Sequence, residues 1–335
     1  MNVKTKSVIS YSSNVFVPVT NICRNHCDYC GFRREPEEGW LMNRTTVLDI
    51  CKRGREKNVA EVLITLGEKP EKYAKVRKKL HSWGFDSIVD YISELAKEIT
   101  EMGLLPHINA GTLRKDELRE LKKYSASMGL MLETCADVSA HNRSPDKDPE
   151  LRINTMKKAG ELKIPFTTGI LVGIGETYED RIQSLRKIKE MHERYGHIQE
   201  VIIQPFQPKI NTPMEDTPPP SRSELLKIVS KGREIMPKMN IQVPPNLTGD
   251  IRDFIKAGAN DLGGLSNITP DYINPDNSWP DIENLNSKIK KIGYKLRERL
   301  PIYPEFTKKS DFMSHEISKI VKNLSDDDGF KEAKG

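Results

Sequence analysis

Short β-branched or apolar runs alternate with longer amphipathic stretches almost from end to end of this chain, the pattern of repeated strand and helix units that build a parallel sheet. Strands are expected over residues 14–19, 61–66, 105–109, 129–134, 165–172, 200–205, 241–244 and 261–265. Helices are expected between them, over 45–57, 86–102, 115–125, 149–163, 178–195 and 251–257, with a further one running from an N-cap at Ser221 or Ser223 to Met236. Eight such units in about 250 residues match a (β/α)8 barrel of the TIM type. An open six-stranded sheet would satisfy the first two thirds of the pattern, and the closed barrel is the reading preferred here. Either way the loops that follow the strands carry the chemistry. The barrel is expected to occupy residues 1–306 without an internal linker. Residues 307–335 form a highly charged C-terminal tail, expected to be partly disordered. The lysine-rich insertion at 71–83 reads as a solvated helix rather than a lid.

The loop after the first strand holds Cys23, Cys27 and Cys30, a C-x3-C-x2-C spacing that lets three thiolates from one short segment serve one metal centre. No fourth cysteine is near, and an iron without a fourth protein ligand can bind a small molecule. A structural zinc site is the main competitor, but zinc usually takes four protein ligands. Cys51 and Cys135 stand alone and read as small buried apolar residues, and His26 directly neighbours Cys27, so the two side chains diverge. A disulfide is disfavoured by the odd cysteine count, a chain long enough to build its own core, and an N-terminus without the apolar segment of a secretory signal.

With 53 basic and 48 acidic residues the formal charge is only +5, spread over the chain rather than gathered in a block. Lysine clusters such as 75–79 read as a solvated helix face, so neither composition nor patterning points to nucleic acid. No run approaches the roughly 18 apolar residues of a membrane span. A cytoplasmic enzyme with no membrane and no nucleic-acid partner is the expectation.

The cysteine motif, with Tyr29 as the aromatic residue before the last cysteine, resembles that of the radical S-adenosylmethionine enzymes. In that superfamily three thiolates hold a 4Fe-4S cluster whose remaining iron takes the methionine end of S-adenosyl-L-methionine, and one-electron cleavage gives a 5'-deoxyadenosyl radical. The resemblance implies that Gly67 and Glu68, in Thr65-Leu66-Gly67-Glu68, receive the ammonium of the cofactor. The run from Gly169 to Glu176, with Gly173 inside it, resembles the motif beside the adenine. Glu133 and Arg152 resemble the acidic and basic pair for the ribose and carboxylate, and Asn109 adds a polar contact.

The longer segments 14–34, 164–177 and 257–266 are similar to one branch of that superfamily, the 7,8-didemethyl-8-hydroxy-5-deazariboflavin synthases, over about residues 10–305. Membership implies a lyase of coenzyme F-420 biosynthesis that closes a deazaflavin ring on a tyrosine-derived ribityl-uracil adduct, with loss of ammonia. It also implies a functional partner, the 5-amino-6-(D-ribitylamino)uracil–L-tyrosine 4-hydroxyphenyl transferase that makes the adduct, and an external one-electron reductant. Alternatives within the superfamily are a menaquinone-pathway cyclase, the transferase itself or a biotin-synthase-like enzyme; a simple electron carrier would have no use for a barrel. The catalytic base is unassigned. The loops at 204–220 and 267–280 are expected to roof the pocket, with Gln204, Asp271 and Tyr272 as candidates to touch substrate.

Overall fold

Eight parallel strands close on themselves in the computed structural model, which describes residues 8–333. They are β1 (Val8–Thr20), β2 (Glu61–Leu66), β3 (Leu105–Asn109), β4 (Ser127–Gly129), β5 (Phe166–Val172), β6 (Ile198–Pro205), β7 (Ile241–Gln242) and β8 (Asp261–Leu265). Each pairs with the next, and β1 pairs with both β8 and β2, which closes the ring. The closed barrel is therefore the architecture, and the open sheet is excluded. A ninth strand, β9 (Lys295–Glu298), runs parallel to the start of β1, from Val8 opposite Lys295 to Tyr11 opposite Glu298. β1 can serve three neighbours because it is 13 residues long.

Period-two alternation divides β1 between two environments. Val15, Val17 and Val19 are fully buried on the outside of the barrel, where Val15 meets the helix Arg44–Glu56 so closely that a Cβ on Gly54 would lie 2.8 Å from it. The even-numbered positions Ser12, Asn14 and Phe16 face the interior. Helices begin at side-chain caps: Asn43, Ser87, Asp148, Thr177 and Ser221 each accept a hydrogen bond from a backbone N–H of the first turn. Ser221, not Ser223, is the cap of its helix, in a capping box closed by Glu224. The insertion forms the helix Ala74–Ser82, with Val76 and Leu80 buried beneath a lysine-rich face.

Two expectations are corrected. The fourth strand lies at Ser127–Gly129, ahead of the expected 129–134, and the apolar run that follows keeps only a single bridge, Glu133 to Ile170. Glu133 takes φ 67°, a left-handed conformation that breaks the extended run. The tail, in turn, is packed rather than frayed as far as it is described. Phe312, Met313, Ile317 and Val321 join Phe306 in an apolar cluster with Leu105 and Ala126 at the starts of the strands, so the segment covers the N-terminal end of the barrel. Its helix, His315–Leu324, buries Ile317 and Val321, one turn apart and set among charged neighbours. The extreme N-terminal residues read above for a signal, and residues 334–335, lie outside the described residues.

His197 is fully buried, and burial pushes its imidazole down to about 3. It therefore folds neutral, whereas the unfolded chain protonates near pH 6.5. Its contribution to stability is fully present above about pH 6.5 and is lost as pH falls from there toward the folded value. We expect the melting temperature of the apoprotein to drop progressively below pH 6.5, and a His197→Gln variant to show a shallower drop when both are followed by circular dichroism.

Candidate active site

The loops at the C-terminal ends of the strands surround a cavity of about 430 Å3, lined by Cys23, Cys27 and Cys30 at its mouth and by Arg299 and Pro301 at its floor. The cysteine loop is fixed by backbone bonds to its surroundings: Arg24 N–H donates to Glu68 O (2.9 Å), His26 N–H to Arg143 O (3.1 Å) and Asp28 N–H to Ala140 O (3.0 Å). Gly67 makes the first of these approaches possible, since a Cβ there would lie 2.1 Å from the carbonyl oxygen of Ile22.

Two of the three sulfurs already accept hydrogen bonds. The Glu68 N–H donates to Cys23 Sγ at 3.1 Å and the Ser144 hydroxyl to Cys27 Sγ at 3.3 Å. Burial pushes the Cys23 thiol up to about 12 and raises Cys30 as well, so these groups become thiolates only beside a strong positive charge. No three His, Cys, Asp or Glu side chains among the described residues gather around one single-ion position. A 4Fe-4S cluster asks each thiolate for a different iron, and three sulfurs facing one cavity, two with donors aimed at them, fit that group. His26 is turned to Arg33, 2.9 Å from its Nη2, and does not line the cavity. The zinc alternative therefore has no fourth ligand in this loop.

One wall of the mouth is charged and buried. Arg152 sits between Glu68 Oε2 (3.9 Å) and Glu133 Oε1 (3.8 Å), and it also donates to the backbone carbonyls of Met131 (2.5 Å) and Asp146 (3.1 Å). Glu68 accepts at Oε1 from the backbone N–H of Thr112 (2.6 Å) and its hydroxyl (2.8 Å). Burial alone would push the Glu133 carboxyl up, but the Lys147 ammonium paired with it and the Arg152 guanidinium outweigh burial and hold it below the usual carboxylate range. Tyr29 lies 5.9 Å below the Lys147 ammonium, and its hydroxyl is 3.1 Å from His141 Nε2. Burial, then Glu133, raises the phenol well above its ordinary range, so Tyr29 is a neutral donor or acceptor here.

Of the residues expected from sequence, Tyr29, Gly67, Glu68, Asn109, Glu133 and Arg152 line the same cavity as the cysteines, as do Gln204 and Asp271. Gly173, Glu176 and Tyr272 are not among the lining residues. Glu176 accepts from the N–H groups of Gly173 and Ile174, both at 2.8 Å, and from Arg181 at 2.6 Å, so its carboxylate folds its own loop. Gly173 has φ +102° and packs against Pro220. Tyr272 stacks edge-on against Phe16, ring centres 5.6 Å apart. Beside the mouth, Leu171, Ile174, Phe206, Val138 and Ala140 form a small apolar cluster against which Tyr29 packs.

Lys147, Lys209, Thr112 and the floor residues escaped sequence reading. Lys147 could have been found only by its five-residue distance from Arg152. Lys209 lies over Gly31, is bonded to Asn274 (2.9 Å), and has its ammonium pulled down by burial.

A thiol-lined mouth on a closed parallel barrel defines a radical enzyme of the S-adenosylmethionine type, and the family model of the Radical SAM superfamily matches residues 17–188. Among solved structures, a methylornithine synthase superposes with a TM-score of 0.65 at 21% identity, covering 87% of this chain and 84% of that one. An FeFe-hydrogenase maturase superposes with a TM-score of 0.71 at 17% identity, covering 95% of this chain and 70% of that one. Both show the fold. The 7,8-didemethyl-8-hydroxy-5-deazariboflavin synthase of Archaeoglobus fulgidus is 50% identical over 325 residues, 96% of this chain and 98% of its own. That of Methanopyrus kandleri is 48% identical over 96% of this chain and 99% of its own. The chain belongs to this synthase family within the radical SAM superfamily, and its cofactors are the 4Fe-4S cluster and S-adenosyl-L-methionine.

Removing Arg152 would leave Glu68 and Glu133 buried without their shared cation. Arg152→Leu is expected to lower apoprotein stability by about 3–5 kcal/mol, read as the midpoint of denaturant unfolding. Lys147→Met, which leaves Arg152 in place, should cost clearly less.

Proposed function

We propose that this chain is a carbon–nitrogen lyase that converts 5-amino-5-(4-hydroxybenzyl)-6-(D-ribitylimino)-5,6-dihydrouracil to 7,8-didemethyl-8-hydroxy-5-deazariboflavin, with release of ammonia. The observation that carries this reading is the 50% identity with the Archaeoglobus fulgidus synthase across nearly the whole of both chains. When bound, the cluster and S-adenosyl-L-methionine supply one-electron cleavage to methionine and a 5'-deoxyadenosyl radical, the agent that takes hydrogen from substrate.

The protein's own part is to bind, orient and shield. Cys23, Cys27 and Cys30 would hold the cluster, and Glu68 would face the cofactor's ammonium, its Oε1 taken by the Thr112 bonds and its Oε2 facing only the Arg152 guanidinium at 3.9 Å. Arg152, fixed by two backbone carbonyls, would face the cofactor's carboxylate, and Glu133 its ribose. Leu171 and Phe206, which line the cavity with Ile174 packed behind them, would receive the adenine. The end of β6, which brings Gln204 to the cavity, and the loops after β6 and β8, which bring Lys209 and Asp271, would exclude water from a reactive intermediate. The adduct would come from the uracil–tyrosine hydroxyphenyl transferase, and the electron from an external reductant in the cytoplasm. No helix among the described residues is long and apolar enough to cross a membrane.

The test is anaerobic reconstitution followed by reduction with the synthetic adduct present. We expect fluorescent deazaflavin together with 5'-deoxyadenosine from the native protein. Cys27→Ala should lose the cluster's visible absorption and both products. Cofactor cleavage without deazaflavin from the adduct would sink the ring-closure reading, and a cluster retained by Cys27→Ala would sink the assignment of its ligands.

A further inference from the structure

TIM-type barrels usually fill their interior with layers of branched apolar side chains. Here the lower interior is polar: Asn14, Glu61, His107, Glu200, Gln242 and Arg299 all line the cavity below its mouth. Bare strand positions make the room. A Cβ on Gly264 would lie 2.1 Å from the amide nitrogen of Asn14, one on Gly263 2.2 Å from that of Gln242, and one on Gly129 2.2 Å from the amide oxygen of Asn109. Three glycines thus leave space for three amides at the centre of the barrel.

The charged part of this floor is held in place. Arg299 donates to Asp261 through Nε (2.7 Å) and Nη2 (3.0 Å), and to Glu200 at 3.3 Å. Glu200 also accepts from Thr167 (2.9 Å), Glu61 accepts from Ser12, and His107 bonds Ser127 (2.6 Å) and Asn109 (3.2 Å). Burial pushes the Glu61 and Glu200 carboxyls up against the pull of Arg299. Asn14 is 2% exposed, and its side-chain oxygen is buried with no hydrogen-bond partner. Such a group costs about 1–3 kcal/mol while it stays unpaired, so the floor is incomplete as it stands.

What completes it must both donate and accept at closely spaced points: acceptors at Glu61, Glu200 and the Asn14 oxygen, donors at Arg299 and Gln242. Neighbouring hydroxyls on a flexible chain do this, whereas the face of an aromatic ring does not. Two residues nearer the mouth on the same strands stand Phe16, Leu63 and Ile202, an apolar band suited to a flat heterocycle. We infer that the barrel floor is a polyol subsite that takes the ribityl chain of the substrate, which sets the ring system above it at the apolar band, facing the thiols. This rests on the reaction proposed above and adds to it the direction in which the substrate enters.

The test measures binding, not turnover, on reconstituted holoenzyme. The probes are the deazaflavin product and an analogue with a methyl group in place of the ribityl chain, titrated by fluorescence. The native protein should prefer the ribityl compound by tenfold or more, and Asn14→Ala should weaken that compound by about tenfold while the methyl analogue binds as before. Gln242→Ala, at a position that holds no charge pair, provides a second variant with the same expected selectivity loss. Equal affinity of the native protein for the two probes, or a parallel loss of both probes in both variants, would overturn the subsite. Failure of the reaction itself reads differently: selective ribityl binding without deazaflavin from the adduct refutes the ring closure, and deazaflavin formation without selective binding refutes the subsite alone.

Discussion

Closure of the ring by β1 is the constraint on which the rest depends. A strand paired on both sides, to β8 and to β2, has no free edge, and it delivers its C-terminal end into the ring of loops at one mouth. The cysteine loop leaves from that end. The ladder does not stop at the strand, because the Gly67 N–H donates to Thr20 O at 2.8 Å and the Arg24 N–H to Glu68 O at 2.9 Å. Two loops far apart in sequence are thereby tied by continued strand pairing, and the Glu68 N–H lands on Cys23 Sγ as a consequence. Metal ligands and cofactor-facing carboxylate share one rigid frame.

Above and below that frame, two buried arginines organise the charge. Arg152 at the mouth stands between Glu68 and Glu133; Arg299 at the floor stands between Asp261 and Glu200. A guanidinium suits both places because its fork can meet two carboxylates and a carbonyl at once without losing its proton. Buried pairs of this kind are weak evidence for stability. Their effect is on position: each holds carboxylates that would otherwise repel or protonate at fixed points around a cavity. Arg299 also joins the C-terminal segment to the barrel, since the chain that follows it packs with Leu105 and Ala126 under the strands. Among the described residues that packing covers the N-terminal end of the strands, opposite the mouth.

Much of this was legible in the sequence, and what was not has local causes. Strands at 61–66, 105–109 and 261–265 and the helix at 178–195 lie where the alternation of short apolar runs with longer amphipathic stretches puts them. The fourth strand was misplaced because Leu130, Met131 and Leu132 are as apolar as a strand, and nothing local announces the left-handed turn at Glu133. The tail was misjudged because its few anchors, Phe312, Met313, Ile317 and Val321, are diluted by charge, and composition averages them away. The cysteine site was readable since its three ligands fall within eight consecutive residues. The floor was not: Glu61, Glu200 and Arg299, distant in sequence, come to one cavity only through the fold.

The run from Gly169 to Glu176 shows how a motif can mark the right place through indirect chemistry. Its acidic residue spends both carboxylate oxygens on the N–H groups of Gly173 and Ile174 and on Arg181. A carboxylate so engaged has little capacity to hold a nucleoside directly. What it does is pin a turn that Gly173 and Gly175 enter at positive φ, conformations no branched side chain adopts cheaply. The pinned turn sets Ile174 against Leu171 and Phe206, and that cluster packs on Tyr29, beside the last cysteine. Shape is what the motif supplies. The apolar shelf it creates shares Tyr29 with the cysteine motif, so the two stretches of sequence that resemble the superfamily are coupled by a packing contact rather than by a shared ligand.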